Sequence, residues 1–184
     1  MDGNKAELFL KMLREDDREG GMEGNRGRNL KRGRMRAKME IRSLMNIRMP
    51  REVSEEMLEA QDAYLQEELE EKGVVSLAEI PAVEEQYGSS HPLAGRISIW
   101  QGDITRLKTG AIVNAANSQL LGCFVPCHRC IDNAIHSAAG MQLREECSRI
   151  MERRRMRYGD GYEEPAGTAT LTKSYNLPCD YVIH

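Results

Sequence analysis

The 184-residue sequence has few aromatic residues and lacks any long apolar run. Phe, Trp and Tyr make up only 5% of it, and no apolar stretch approaches the roughly 20 residues that a membrane-spanning helix needs. Its N-terminus, MDGNKAELFLKMLREDDREGG, has acidic residues where a signal peptide has basic ones, and it has no apolar core segment. We therefore expect an intracellular, cytoplasmic chain that does not contact a membrane.

The net charge and the cysteine content narrow the possible chemistry. A formal net charge of −3 argues against nucleic acid as a partner of the whole chain. The five cysteines are an odd number, and three of them lie close together in GCFVPCHRC. In a reducing compartment, such a cluster indicates metal or thiol chemistry before disulfides.

The N-terminal segment has a different composition from the rest of the chain. Residues 1–40 begin with a short amphipathic piece and continue rich in Gly and Arg, with few large apolar side chains. We predict a disordered segment, because it has too little apolar surface to offset its ordering entropy. The basic run from Arg26 to Lys38 suits a solvated linker, and a nucleic-acid-binding arm remains the alternative.

Residues 41–95 predict a helical extension. Ser54 is a candidate N-cap followed by two glutamates, which are favourable in the first turn of a helix. Apolar residues then recur with helical spacing up to Gly73, which suits a helix C-terminus.

Residues 96–184 alternate predicted strands and helices, which indicates an α/β domain with a mixed, mostly parallel sheet. The stretch RISIWQGDI predicts a strand, with Ile97, Ile99 and Trp100 available for a core. Further strands are predicted in AIVNAAN, TATLTKSYNL and YVIH, and helices in DNAIHSAAG and QLREECSRIMERRRMRYG.

The cysteine cluster predicts a metal site with three protein ligands. Zinc binds Cys thiolates and His nitrogens, and catalytic zinc sites keep one coordination position open. Cys127 and His128 are adjacent and tend to point apart, so Cys123, His128 and Cys130 are the economical ligand set. A reactive thiol with His128 or His136 as its base is the alternative.

Polar residues follow the predicted strands and begin the next helix. Asp103 closes one strand, and Asn114 and Asn117 follow another; ligands of open α/β sheets bind at such carboxyl ends. Asp132 begins a helix directly after the cysteine cluster, within reach of a metal site. Taken singly, these residues equally suit turn and helix-cap roles.

The motifs occur in one order: GDIT, IVNAANS, the cysteine-rich loop, DNAIHSAAG, GTATLTKSYNLP and YVIH. This order resembles a macrodomain, an α/β/α sandwich that binds ADP-ribose. The stretch LLGCFVPCHRCIDNAIHSAAGMQLR resembles the zinc-dependent class, whose members hydrolyse the N- or O-glycosidic link between ADP-ribose and a protein side chain. The similarity covers residues 41–184.

The resemblance implies a role for each matching residue. Asp103 and the backbone of Ile104 are expected to bind adenine, and Asn114 to shape the strand end. Asn117 is expected to contact the distal ribose and take part in catalysis.

The resemblance also implies a zinc ion held near that ribose by Cys123, His128 and Cys130. Asp132 is then the acidic residue beside the bond that breaks, and Cys127 is a bystander. The expected partner is ADP-ribose on a modified protein.

The sequence departs from this family at its end. Macrodomains continue beyond YVIH with further strands, helices and a glycine-rich loop around the diphosphate, whereas this sequence ends at His184. We expect a truncated domain that binds ADP-ribose weakly and folds poorly in isolation; a partner that supplies the rest is the alternative. The alternative function is a non-catalytic ADP-ribose-binding module with structural zinc.

Overall fold

A computed structural model describes residues 3–19 and 33–184 of the chain. Its α-helices are α1 (Gly3–Glu19), α2 (Gly33–Ile47), α3 (Glu55–Lys72), α4 (Val83–Tyr87), α5 (Ile131–Ala139) and α6 (Met141–Tyr158). Its strands are β1 (Val75–Ser76), β2 (Leu107–Lys108), β3 (Ala111–Val113), β4 (Leu171–Lys173) and β5 (Tyr181–Ile183). Within these two ranges, no helix is both long and apolar enough to cross a membrane.

Helices α1, α2 and α3 pack on one another around a core of their own. Phe9 and Leu13 of α1 are buried, at 0% and 2% exposure, and Phe9 contacts the ring of Tyr64 on α3. The predicted disorder of residues 1–40 is therefore wrong for both helical stretches within it. The physical reason is tertiary: α1 buries its apolar stripe against α2 and α3, which the average composition of the segment conceals.

The basic run from Arg26 to Lys38 is described only in part, because its first seven residues lie outside the described ranges. Lys38 forms ion pairs with Glu68 and Glu71 of α3. In the described part of the run, this cation thus contributes to helix packing.

Helix α3 begins and ends where its sequence signals predict. The Ser54 side chain accepts a 3.3 Å hydrogen bond from the Met57 amide, as an N-cap does. Gly73 ends the helix with φ of 74°, a conformation that glycine adopts easily. The helical extension also contains a strand that joins it to the α/β part, because β1 pairs in parallel with β2.

The α/β part contains a mixed sheet of three strands in the order β3-β5-β4. Strand β3 is parallel to β5, and β4 is antiparallel to β5. The predicted mixed sheet is therefore confirmed. Helices α5 and α6 cover this sheet and complete its core. The most deeply buried apolar residues of this core are Ile112, Ile135, Ala139, Leu143, Cys147, Met151 and Val182.

The predicted strand in residues 96–104 is wrong. Its backbone forms one isolated bridge, between Ala82 and Ser98, and no ladder. Ile97 and Ile99 are 48% and 60% exposed, so they do not contribute to a core. Alternating apolar residues form a strand only where a neighbouring strand and a core face are available, and this segment has neither along its length.

Candidate metal centre

The loop between β3 and α5 brings three candidate ligands together. The ligand atoms of Cys123, His128 and Cys130 all lie within 4.8 Å of one another, with Cys123 Sγ 3.6 Å from His128 Nδ1. Zinc bonds of about 2.0–2.3 Å place tetrahedral ligand atoms roughly 3.3–3.8 Å apart, so small rotamer changes suffice to close the site. Because His128 is exposed, the group opens to solvent. Two thiols and one imidazole at this separation fit a zinc ion with one open position.

Cys127 points away from this group. Its Sγ donates a hydrogen bond of 3.3 Å to the Met39 carbonyl oxygen on α2. Its backbone has φ of 52°, and its N–H donates to Asn46 Oδ1 at 2.9 Å. The left-handed turn at Cys127 therefore separates this thiol from the three grouped side chains.

Cys130 is also the N-cap of α5. Its Sγ accepts a 3.4 Å hydrogen bond from the Asn133 amide. Burial and the neighbouring Cys123 and Asp132 raise the pKa of the Cys130 thiol, while the amide hydrogen bond opposes the rise. A bound cation relieves this repulsion between acidic groups, and metal binding is accompanied by thiol deprotonation.

Asp132 lies in the first turn of α5 and is largely buried. Its Oδ1 accepts a 2.8 Å hydrogen bond from Asn114 Nδ2, which follows β3. Burial raises the pKa of Asp132, and the Asn114 hydrogen bond and the nearby Arg144 charge oppose it. The carboxylate next to the candidate ligand Cys130 is thereby fixed to the sheet.

Asn117 is exposed, and both ends of its amide make hydrogen bonds inside the loop. Its Nδ2 donates to the Gly122 carbonyl oxygen at 3.0 Å, and its Oδ1 accepts from the Gln119 amide at 3.1 Å. The side chain thus closes the turn that precedes Cys123.

Asp103 lies in a different part of the surface. Its Oδ1 caps the 3₁₀ turn Ile104–Arg106 by accepting from the amide and the hydroxyl of Thr105, at 3.0 Å and 2.7 Å. It lines a cavity of about 410 Å³ whose walls come from α2, α3 and α5 and include none of the three candidate ligands.

A second group of metal-ligating side chains lies in the core behind Asn114. The ligand atoms of His136, Cys147 and His184 lie within 4.8 Å of one another, and all three residues are buried. Asn114 Nδ2 donates to His184 Nδ1, so Nε2 carries the proton and donates to Thr172 Oγ1 at 2.9 Å. That tautomer leaves His184 no free lone pair for a metal.

His136 has an unusual position within this core. Neither ring nitrogen has a hydrogen-bond partner in the part of the chain that the structure describes, although Nε2 lies 3.5 Å from Asp132 Oδ1. Burial is the main cause that lowers the pKa of His136 to about 3, followed by the charges of Arg144 and His184. His136 is therefore a neutral core side chain.

Sequence reasoning missed a residue that supports the loop from within α5. Asn133 is fully buried, and its Nδ2 donates to the carbonyl oxygens of Cys123 and Val125 at 3.3 Å and 3.1 Å. The only local signal in the sequence is an asparagine three residues after Cys130, at the start of a predicted helix, and that signal is weak.

The chain is similar to a known protein family and to several curated proteins. Residues 113–184 match the Macro domain family. The chain is 48% identical over 151 residues to a protein-ADP-ribose hydrolase of Treponema medium, covering 80% of this chain and 52% of the relative. It is 43% identical over 144 residues to a protein-ADP-ribose hydrolase of Staphylococcus aureus strain MSSA476, covering 78% of this chain and 48% of the relative. The chain thus spans about half the length of these curated relatives.

A solved structure is similar to a larger share of this chain than the family match covers. The crystal structure of a Trypanosoma brucei macrodomain in complex with ADP-ribose aligns with a TM-score of 0.50 and 26% identity. The alignment covers 74% of this chain and 55% of that one.

Proposed function

This chain has an α/β macrodomain fold with a helical N-terminal part and protein-ADP-ribose hydrolase relatives, and on that premise we propose that it acts in removing ADP-ribose from modified protein side chains. The proposed cofactor is a zinc ion held by Cys123, His128 and Cys130. One observation carries the proposal: three soft ligands converge at the N-terminus of the helix that presents Asp132.

Within this proposal, each catalytic part has a separate role. Cys123, His128 and Cys130 would hold the Zn²⁺, which would supply a Lewis acid to the reaction. Cleavage of a glycosidic bond also needs a carboxyl group that delivers or removes a proton beside the anomeric carbon. Asp132 is the carboxyl group nearest the ligands in sequence, and Asn114 holds one of its oxygens.

The substrate contacts are proposed from exposure and position. Asn117 is exposed, and it donates a hydrogen bond to Gly122, the residue before Cys123. This position suits a contact with the distal ribose. Asp103 is exposed and caps the 3₁₀ turn that begins at Ile104, which suits the adenine. The catalytic group Asp132 and the adenine contact Asp103 would then hold opposite ends of one extended ligand.

The proposal is tested by the release of ADP-ribose from a mono-ADP-ribosylated protein, quantified by chromatography and mass spectrometry. Wild-type chain loaded with zinc is expected to release ADP-ribose, and Asp132→Asn is expected to release much less while it keeps its metal. Asp160→Asn, an exposed acidic residue after α6, is the matched control. Failure of zinc-loaded wild-type chain to release any ADP-ribose would overturn the hydrolase proposal.

A non-catalytic ADP-ribose-binding module with structural zinc is the second candidate, and the capping role of Cys130 favours it. The variant Cys130→Ser separates the two, because serine is a good N-cap but a poor zinc ligand. The hydrolase proposal predicts lost turnover with the fold intact. The structural-zinc candidate predicts unfolding when the metal is lost.

A further inference from the structure

We propose that Arg42 and Asn46 of α2 are positioning residues that hold the metal loop in its ligand-binding shape from outside the α/β part. The inference rests on the proposed metal centre. It gives α2 a role in metal binding, although α2 contributes none of the three candidate ligands.

Arg42 contacts both the backbone of a candidate ligand, His128, and Asn133, the side chain that supports the loop. Its Nη2 donates to the His128 carbonyl oxygen at 3.0 Å and to Asn133 Oδ1 at 2.7 Å, and its Nε donates to the same Oδ1 at 3.1 Å. With Oδ1 held by Arg42, the side-chain Nδ2 of Asn133 points at the Cys123 carbonyl oxygen, while the backbone N–H of Asn133 separately donates to Cys130 Sγ. Arg42 and Asn133 together thus contact all three candidate ligands, through one guanidinium, one side-chain amide and one backbone amide.

Asn46 fixes the turn that directs His128 back toward Cys123. Its Oδ1 accepts from the Cys127 amide at 2.9 Å, where the chain adopts a left-handed conformation that residues with a Cβ rarely take. Its Nδ2 donates to Ser137 Oγ at 2.9 Å, and Ser137 in turn donates to the Asn133 carbonyl oxygen at 2.6 Å. Asn46 is 1% exposed, so water does not replace these bonds.

The end of α2 is itself tied to the start of the loop by Arg144 of α6. Its Nη1 donates to the carbonyl oxygens of Met45 and Asn46 in the last turn of α2, where carbonyls lack helical partners, and to that of Arg48 just after the helix. Its Nε donates to the Leu121 carbonyl oxygen at 2.8 Å, before Cys123. The buried guanidinium therefore fixes the position of Asn46 relative to the loop.

A residue that orients ligands from outside the coordination sphere typically changes metal affinity by about 10- to 100-fold when it is removed. Linkage works in both directions: a metal that binds only the positioned loop also stabilises the packing of α2 against it. Metal affinity is thus expected to depend on a helix whose residues do not touch the metal.

The test is a titration with Co²⁺ under reducing conditions, followed by the visible ligand-field bands and the thiolate charge-transfer band. The variants are Arg42→Met and Asn46→Ala, with Arg42→Lys as the conservative change. Glu40→Gln is the matched control, since Glu40 lies on α2 and pairs with Arg14 of α1, away from the loop.

We expect the dissociation constant for Co²⁺ to rise roughly 10-fold or more in Arg42→Met and Asn46→Ala, with altered band intensities and unchanged helical circular dichroism. Arg42→Lys is expected to fall between Arg42→Met and wild type, which keeps the test valid if a larger change unfolds the chain. Wild-type affinity and spectra in both Arg42 variants and Asn46→Ala would overturn the positioning role alone. If wild-type chain gives no thiolate–cobalt band, the proposed metal centre fails and the positioning role fails with it.

Discussion

Asn114 Nδ2 donates a 2.8 Å hydrogen bond to Asp132 Oδ1, which joins the end of β3 to the first turn of α5. The same amide lies 3.2 Å from His184 Nδ1, next to β5. Two neighbouring strands of the sheet thus fix one carboxylate beside the candidate ligand Cys130. The relationship explains how a buried charged group is held in one orientation at the edge of the loop.

Replacing Asp132 by Asn tests the role of its charge. The amide oxygen of the variant can still accept from Asn114, so the fold is expected to persist, while a general acid–base group is lost. Turnover is expected to fall by roughly 10²- to 10⁴-fold in a single-turnover assay of ADP-ribose release. If Asp132→Asn keeps the activity of Asp160→Asn, Asp132 is not catalytic.

The burial of α1 predicts that the N-terminal segment contributes to stability. Phe9→Ala removes a fully buried ring that contacts Tyr64, so the free energy of unfolding is expected to drop by about 3–5 kcal/mol. Leu8→Ala is the control, because Leu8 is 49% exposed and such changes stay within about 0.5 kcal/mol. Equal urea midpoints for the two variants would refute the packing of α1.

Gly122 is required by both its conformation and its surroundings. It has φ of +78°, and a Cβ at this position would meet the His136 ring at 2.8 Å. Gly122→Ala is therefore expected to lower the free energy of unfolding by about 1–3 kcal/mol and to weaken metal binding by displacing the chain before Cys123. Gly161→Ala, which meets no neighbour within 4 Å, should change neither quantity. Thermal unfolding monitored by circular dichroism distinguishes these outcomes.

Two buried histidines predict loss of stability in mild acid. Burial lowers the pKa of His136 to about 3 and that of His184 to about 4, whereas unfolded histidine titrates near 6.5. Between about pH 6.5 and pH 4 the unfolded state thus binds more protons, and the free energy of unfolding falls as the pH falls. The stability from both neutral rings is fully present above this window.

With two protons involved, at about 1.4 kcal/mol each, the slope is expected to approach roughly 2.7 kcal/mol per pH unit. Urea unfolding at several pH values measures it, and His136→Gln should make the slope shallower. An unchanged slope in that variant would contradict the assignment of His136.

Some parts of the fold follow from local sequence signals. Ser54 and Gly73 mark α3 because capping depends on residues next to the helix end, and Gly140 ends α5 in the same way. The grouping of Cys123 with His128 and Cys130 is also local, since one loop contains all three.

Other parts depend on contacts that are distant in sequence. Arg42 lies 86 residues from His128, and Arg144 lies 99 residues from Met45, so no local pattern indicates either contact. The same limitation explains the errors at residues 1–40 and 96–104. The composition and apolar alternation of a segment indicate the secondary structure that it tends to form. Whether it forms that structure depends on whether another part of the chain packs against it.

Metal content tests the central claim most directly. Chain purified without chelators and analysed by inductively coupled plasma mass spectrometry is expected to contain about one zinc per chain. Cys127→Ser should retain that zinc, because this thiol points to the Met39 carbonyl and not to the other ligands. Cys123→Ser and Cys130→Ser should lose it. Wild-type chain without metal, or zinc retained by Cys130→Ser and lost by Cys127→Ser, would contradict the account.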